Sequence, residues 1–355
     1  MRLPYFPLSG GAPTATFKPL KAQASSNQEG EIIDKDIVFV AGSTGRVGSR
    51  TVRELLKLGF RVRAGVRRNQ LAEALVQSVQ QMKLDGEAGK PETQPISNLE
   101  IVTCDLEKKG SIIPAIGDAS VIICSIGASE KEVFDVTGPY RIDYKATKNL
   151  IEAATLAKVN HFILVTSLGT NKIGFPASFL NLFWGVLIWK RKAEEALIAS
   201  GIPYTIVRPG GMERPTDSFK ETHNLVLAKE DTYFGGLVSN LQVAELIAFM
   251  AKNKRLSSYK VVEVIAKQTE PLKPLEELLG KIQPQREILG EYEVDSRPNV
   301  DSTSIATETF SRMTAPKARP LSPYFMYDDF KPPSSPTPSK AKASSKVTSS
   351  SASGD

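Results

Sequence analysis

From Ile37 onward the chain alternates short runs of β-branched and apolar residues with longer segments whose apolar positions recur every three or four residues. The runs at 37–41, 61–66, 99–104, 120–124, 161–166, 204–208 and 259–265 predict strands, and most of the segments between them predict helices. The clearest helix covers 141–157, where Ile142, Leu150, Ile151, Ala154 and Leu156 make one apolar stripe. Strands alternating with helices imply an α/β fold, a doubly wound parallel sheet of the Rossmann type. Residues 84–98, rich in Gly, Pro, Gln and Glu, read as a loop. Past Pro284 the periodicity stops and Pro, Ser, Thr, Lys and Ala take over. Such a composition cannot bury enough apolar surface to offset its ordering entropy. The expected organisation is a Rossmann domain at 35–283 and a disordered tail at 284–355.

The first strand runs straight into Gly42-Ser43-Thr44-Gly45-Arg46-Val47-Gly48, and a helix over 46–58 follows at once. Strand, G-x-x-G-x-x-G loop, helix and second strand in that order form a dinucleotide-binding unit. Gly42 permits the tight turn, Gly45 lets the backbone approach a pyrophosphate, and Gly48 lets the helix pack close to the strand, its N-terminal amides facing the phosphates. At the end of the second strand an NAD site usually offers a carboxylate to the ribose, whereas this chain offers Val66-Arg67-Arg68. A guanidinium suits a dianionic 2′-phosphate by charge and by paired donors, so Arg67 or Arg68, with Arg46 in the loop, points to NADP(H). For Arg68 a solvated position in the first turn of the next helix is an equal alternative. Two further strand ends, Cys104-Asp105-Leu106 and Ser125-Ile126-Gly127-Ala128, should border the same crevice. Asp105 either accepts from the adenine amino group or caps the helix after it, and Gly127 lets backbone pass close to the ribose.

Charge changes this picture little. The net charge of +6 sits in the ends: residues 1–28 hold Arg2, Lys18 and Lys21 and no acid, and residues 331–355 hold Lys331, Lys340, Lys342 and Lys346 against Asp355. A neutral body argues against a nucleic-acid partner, which needs positive charge gathered on a folded face. Cys104 and Cys124 each end an apolar run and imply no disulfide framework. The acid-free start, rich in Ser, Thr and Ala, reads as an organelle transit peptide over 1–30 or as an ordinary frayed terminus. Residues 177–189 are nearly all apolar but too few to span a bilayer. They read as a buried helix or a docking surface. His161 and His223 lack companions for a metal site.

The glycine loop and the order of elements resemble the atypical branch of the short-chain dehydrogenase/reductase family over about 36–266. The resemblance implies a Ser or Thr at the end of the fifth strand and a Tyr-x-x-x-Lys on the next helix, whose tyrosine moves the proton during hydride transfer. Thr166-Ser167 fills the first place, with Ser167 as the candidate. Lys190 matches the family lysine, since Glu194 follows at the usual interval, and it is expected to hold the nicotinamide ribose. The residue four before it is Val186, and the residues four before Arg191 and Lys192 are Leu187 and Ile188, so no hydroxyl stands there. Proton transfer needs a titratable group within hydrogen-bond reach, which leaves turnover open. A literal Tyr144-Lys145-Ala146-Thr147-Lys148 lies on the preceding helix; Tyr144 there reads as a packing residue, a pocket-facing hydroxyl being the alternative. Arg208-Pro209-Gly210-Gly211-Met212 resembles the loop over the nicotinamide in that family, which implies cofactor contacts at Pro209 and Gly210.

The tail carries Leu321-Ser322-Pro323-Tyr324 and, further on, Tyr327 and Phe330 between proline-stiffened arms. Prolines lower the entropy lost on binding, and apolar anchors at three-residue spacing suit a partner groove. The segment 316–339 resembles the Ser/Pro-rich repeat of the dehydrogenase-like subunits of the chloroplast inner-envelope translocon, and Gly42–Val66, residues 125–132 and residues 208–217 share the resemblance. It implies a chloroplast protein, peripheral on the inner envelope or thylakoid membrane. It also implies NADP(H) as the cofactor, ferredoxin–NADP reductase and translocon subunits as partners, and a role as a redox-responsive tether for the reductase. The alternative is an NADP(H)-dependent reductase of a small substrate. That family carries several repeats; one is found here.

Overall fold

The structure, a computed structural model, describes residues 36–82, 95–128, 135–171, 185–213 and 216–286. The transit segment, the tail motif with its six anchor residues, residues 129–132, most of 84–98 and residues 177–184 of the apolar run therefore lie outside the described residues.

All seven expected strands form, with ends shifted by at most two residues. They are β1 (Ile37–Ala41), β2 (Arg61–Val66), β3 (Leu99–Thr103), β4 (Val121–Cys124), β5 (His161–Val165), β6 (Tyr204–Pro209) and β10 (Lys260–Lys267). Parallel pairing sets them in the order β3-β2-β1-β4-β5-β6-β10. Two two-residue strands, β7 (Gly211–Met212) and β9 (Leu237–Val238), and a six-residue strand, β8 (Asn224–Lys229), extend the far edge, where β8 runs antiparallel to β10.

The two-residue period of the strands sends alternate side chains to two cores. Val38, Val40, Ile123 and Ile163 pack on one face with helices α1 (Arg46–Lys57), α2 (Glu73–Gln80) and, later in the chain, Asn240–Lys252. Phe39, Ile122, Phe162 and Leu164 pack on the other with α3 (Ile112–Ile116), α4 (Thr147–Leu156) and α5 (Val186–Ala199). Full burial of each such side chain contributes about 1.5–3 kcal/mol. The helix Asn240–Lys252, α6, starts at a capping box in which Ser239 Oγ accepts from Leu241 N–H and Gln242 Oε1 accepts from Ser239 N–H.

Two expectations need correction. The helix foreseen over 141–157 begins earlier, and Pro139–Ala146 is wound as a π-helix before α4 takes over. Pro139, Asp143 and Ala146 form its buried side. The body also continues past 283: Gln285 N–H donates to Tyr259 O at 2.6 Å, and Tyr204 Oη donates to Gln285 Oε1 at 2.8 Å. These bonds tie the last described residues onto β6 and the start of β10.

Candidate dinucleotide site

The carboxyl ends of β1, β2, β3 and β4 surround a cleft of about 290 Å³. Gly42 turns the chain out of β1 at φ +80°, and a Cβ there would lie 2.9 Å from Ser125 O. Gly48 is still more constrained, since its Cβ would lie 2.1 Å from Gly42 O. The close packing foreseen at Gly48 is thus against the loop itself rather than the strand. Gly45 stands at the N-terminus of α1 with no side-chain cap, and no acid occupies the first turn. An uncapped helix start beside the cleft is the arrangement that receives a phosphate.

The other loop residues divide by direction. Thr44 lines the cleft, whereas Arg46 is exposed and lies outside the lining. Ser43 is buried and donates from Oγ to Gly65 O at 2.8 Å, clamping the loop to β2. Val47 points into the core. Ser43 and Val47 therefore shape the site through their backbone, not their side chains.

Arg67 lines the cleft, whereas Arg68 does not; its carbonyl accepts Leu71 N–H in the turn that follows β2. Asp105 and Leu106 both border the cleft. Asp105 Oδ1 also accepts Glu107 N–H at 3.1 Å, so the residue secures its own turn while remaining in the wall. Cys104 stands beside it; burial pushes its thiol up to about 11, which keeps it protonated at neutral pH. Gly127 completes the opposite wall.

Lys190, on α5, reaches the back of that wall. Its Nζ donates to Asp143 Oδ1 at 2.6 Å, and a Cβ on Gly127 would lie 3.7 Å from the same Nζ. Asp143 escaped the sequence reading, although an acid beside Ile142 in an apolar stripe was a signal. Gly65 escaped too, and a glycine inside a β-branched strand marks close approach: its Cβ would meet Phe39 Cζ at 2.8 Å.

Ser167 follows β5 half-buried and outside the cleft lining. Its neighbour Thr166 is committed to structure, donating to Glu194 Oε1 at 2.7 Å. Pro209 and Gly210 also lie outside the lining. The close approach at Gly210 is to Gly236, whose carbonyl would lie 2.4 Å from an added Cβ, so the glycine serves the packing of β7 and β9. Tyr144 stacks on Trp189 with centroids 5.9 Å apart, and it borders an outer groove between α4 and α5 instead of the cofactor cleft. Its packing role holds.

A sheet-end cleft with a glycine turn, an uncapped helix N-terminus and a guanidinium at the end of the second strand defines a dinucleotide-binding Rossmann protein. The match to the NAD(P)H-binding family runs over residues 42–254, more than half of the chain, and the chain belongs to that family. It is 63% identical to Protein TIC 62, chloroplastic, of Pisum sativum, over 86% of this chain and 60% of that one. It is 64% identical to the Arabidopsis thaliana protein of the same name, over 86% of this chain and 49% of that one. An uncharacterized chloroplastic protein of Arabidopsis thaliana, At2g34460, is 37% identical over 70% of this chain and 83% of its own. The chain thus spans roughly half to two thirds of the length of the TIC 62 relatives. A putative NAD-dependent epimerase/dehydratase from Bacillus halodurans shares the fold, with a TM-score of 0.54 and 21% identity over 69% of this chain and 98% of that one. The resemblance read from the glycine loop holds, and the named relatives are chloroplast proteins. Among the described residues no helix is long and apolar enough to cross a membrane.

Proposed function

We propose that this chain is an NADP(H)-binding scaffold of the chloroplast that tethers ferredoxin–NADP reductase through 316–339. It associates peripherally with the inner envelope and its import machinery, or with thylakoids, and responds to the redox state of its cofactor. One observation carries the choice of scaffold over enzyme: the glycine turn and Arg67 border one cleft, yet Val186 occupies the tyrosine place four residues before Lys190. The cofactor-binding set is Gly42, Gly45 and the amides of the first turn, Arg67 for the 2′-phosphate, Asp105 and Leu106 for the adenosine, and Gly127 with Lys190 for the far ribose. The high identity to the TIC 62 relatives supports the chloroplast setting and a link to the translocon.

The test is titration of the purified chain with NADPH and NADH, followed by a turnover assay on carbonyl substrates. Tighter binding of NADPH without significant oxidation supports the scaffold. Rapid NADPH oxidation that survives Tyr144→Phe and Ser167→Ala favours the alternative, a reductase of a small substrate with a proton donor elsewhere.

A further inference from the structure

We infer that Asp143 is the positioning residue of the dinucleotide site, holding the Lys190 ammonium and the Gly127–Ala128 backbone as one unit behind the cleft wall. The inference rests on the cofactor assignment above and deepens it.

Asp143 is an acid inside the core, its side chain 1% exposed. A carboxylate there is tolerable only when both oxygens are satisfied and its charge is matched. Oδ1 takes Lys190 Nζ at 2.6 Å, and Oδ2 takes Ala128 N–H at 3.2 Å. Its neighbour Ile142, and Ala146 three residues further on in the π-wound turn, line the cleft. So does Gly127, whose missing side chain leaves Asp143 Oδ1 at 3.5 Å and Lys190 Nζ at 3.7 Å from the Cβ position. An expanded turn of this kind recurs at functional sites because it redirects side chains that an α-helix would place elsewhere. Here Asp143 sits within it, its charge buried directly behind the wall.

Lysine is a compact charge on a flexible four-carbon stem with three donors. One donor goes to Asp143, and the other two have no partner among the described residues. Fixing the stem at one end leaves those donors beside the gap that Gly127 opens, where hydroxyl or phosphate oxygens of a dinucleotide can accept them. Ala128 N–H is pinned by the same carboxylate, so lysine and loop share one anchor. In a chain with valine at the tyrosine place, Asp143 makes the lysine a fixed binding group.

The experiment is a double-substitution cycle on the full chain. NADPH dissociation constants are read by cofactor fluorescence for wild type, Asp143→Asn, Lys190→Met and the pair, and urea unfolding is measured without cofactor. Each single change is expected to weaken NADPH by about tenfold, the scale of one hydrogen bond to a charged group, and the pair no more than Lys190→Met alone. Should Asp143→Asn not fold, Asp143→Glu keeps the charge but displaces the ammonium by one methylene, and the same loss of affinity is expected at little change in unfolding midpoint. Affinity within twofold of wild type, or a further loss when Asp143→Asn is added to Lys190→Met, overturns the inference. Failure of the wild type to bind NADPH is read from that arm alone; it removes the cofactor assignment and this inference with it.

Discussion

Arg208 grips Glu194 in a two-pronged ion pair at the centre of the protein, Nε to Oε1 at 3.0 Å and Nη2 to Oε2 at 2.7 Å, with both side chains fully buried. Burial alone would raise the Glu194 carboxyl, but the charge and hydrogen bonds of Arg208, then the charge of Arg191, hold it below the usual carboxylate range. The pair fastens α5, which carries Lys190, to β6. Removing one partner leaves an uncompensated buried charge, so Arg208→Leu or Glu194→Leu should cost about 3–5 kcal/mol in urea unfolding. The double substitution should cost much less than the two singles added together.

Arg67 and Arg68 are expected to part company. Arg67→Ala should weaken NADPH by about tenfold or more and leave NADH nearly unchanged, because a charge-assisted bond to phosphate contributes about 1.5–3 kcal/mol. Arg68→Ala should change either affinity less than twofold. Equal losses from both substitutions would place the 2′-phosphate between them.

Gly48→Ala should be poorly tolerated. Its new methyl would lie 2.1 Å from a backbone carbonyl and 2.9 Å from Ser125 Oγ, so loop and helix must separate. The expected cost is at least about 1–3 kcal/mol, together with loss of NADPH binding. Gly110→Ala, where nothing lies within 4 Å, serves as the control and should stay within about 0.5 kcal/mol of wild type.

His161 should make the fold acid-sensitive. Burial, then the charge of Lys254, lowers its pKa to about 4 from 6.5. The folded state therefore holds the neutral ring while the unfolded chain takes up a proton. That contribution is complete above about pH 6.5 and is lost as pH falls toward 4, at up to about 1.4 kcal/mol per pH unit. Urea unfolding of wild type and His161→Phe at pH 7, 6 and 5 should show a stability difference that shrinks toward acid. A difference independent of pH removes His161 as the source.

A peptide of residues 316–339 should bind ferredoxin–NADP reductase by itself, because its anchors and stiffening prolines are local in sequence. Tyr324→Ala with Phe330→Ala should abolish binding, and Lys331→Ala should leave it nearly intact, since apolar burial outweighs one rim charge. Calorimetry with the synthetic peptide decides it. With one repeat, modest affinity is expected, as ordering entropy opposes docking.

The strands and the glycine loop were legible because their signals are local: a two-residue period, and a fixed spacing after a strand. The strand β8 was not, as Asn224–Lys229 is a short apolar run that fits strand or helix equally well. The π-winding of Pro139–Ala146, and the pairing of Asp143 with Lys190, a residue 47 positions later, are encoded by no local pattern. The same holds for Gly210, whose neighbour Gly236 is brought in by β9. In the site, residues that act through backbone position were found by spacing. Residues that act through a distant charged partner needed the fold.

Both thiols of the chain, Cys104 and Cys124, are buried free cysteines with pKa values pushed to about 11, by burial above all. Thiolate is the form that exchanges with disulfides, and at stromal or cytosolic pH almost none of it exists here. Neither cysteine is thereby poised for disulfide exchange at such a pH. On the proposed reading of the chain as a cofactor-responsive scaffold, the redox poise of the compartment reaches it as mass action, through which nucleotide fills the cleft and for what fraction of the time.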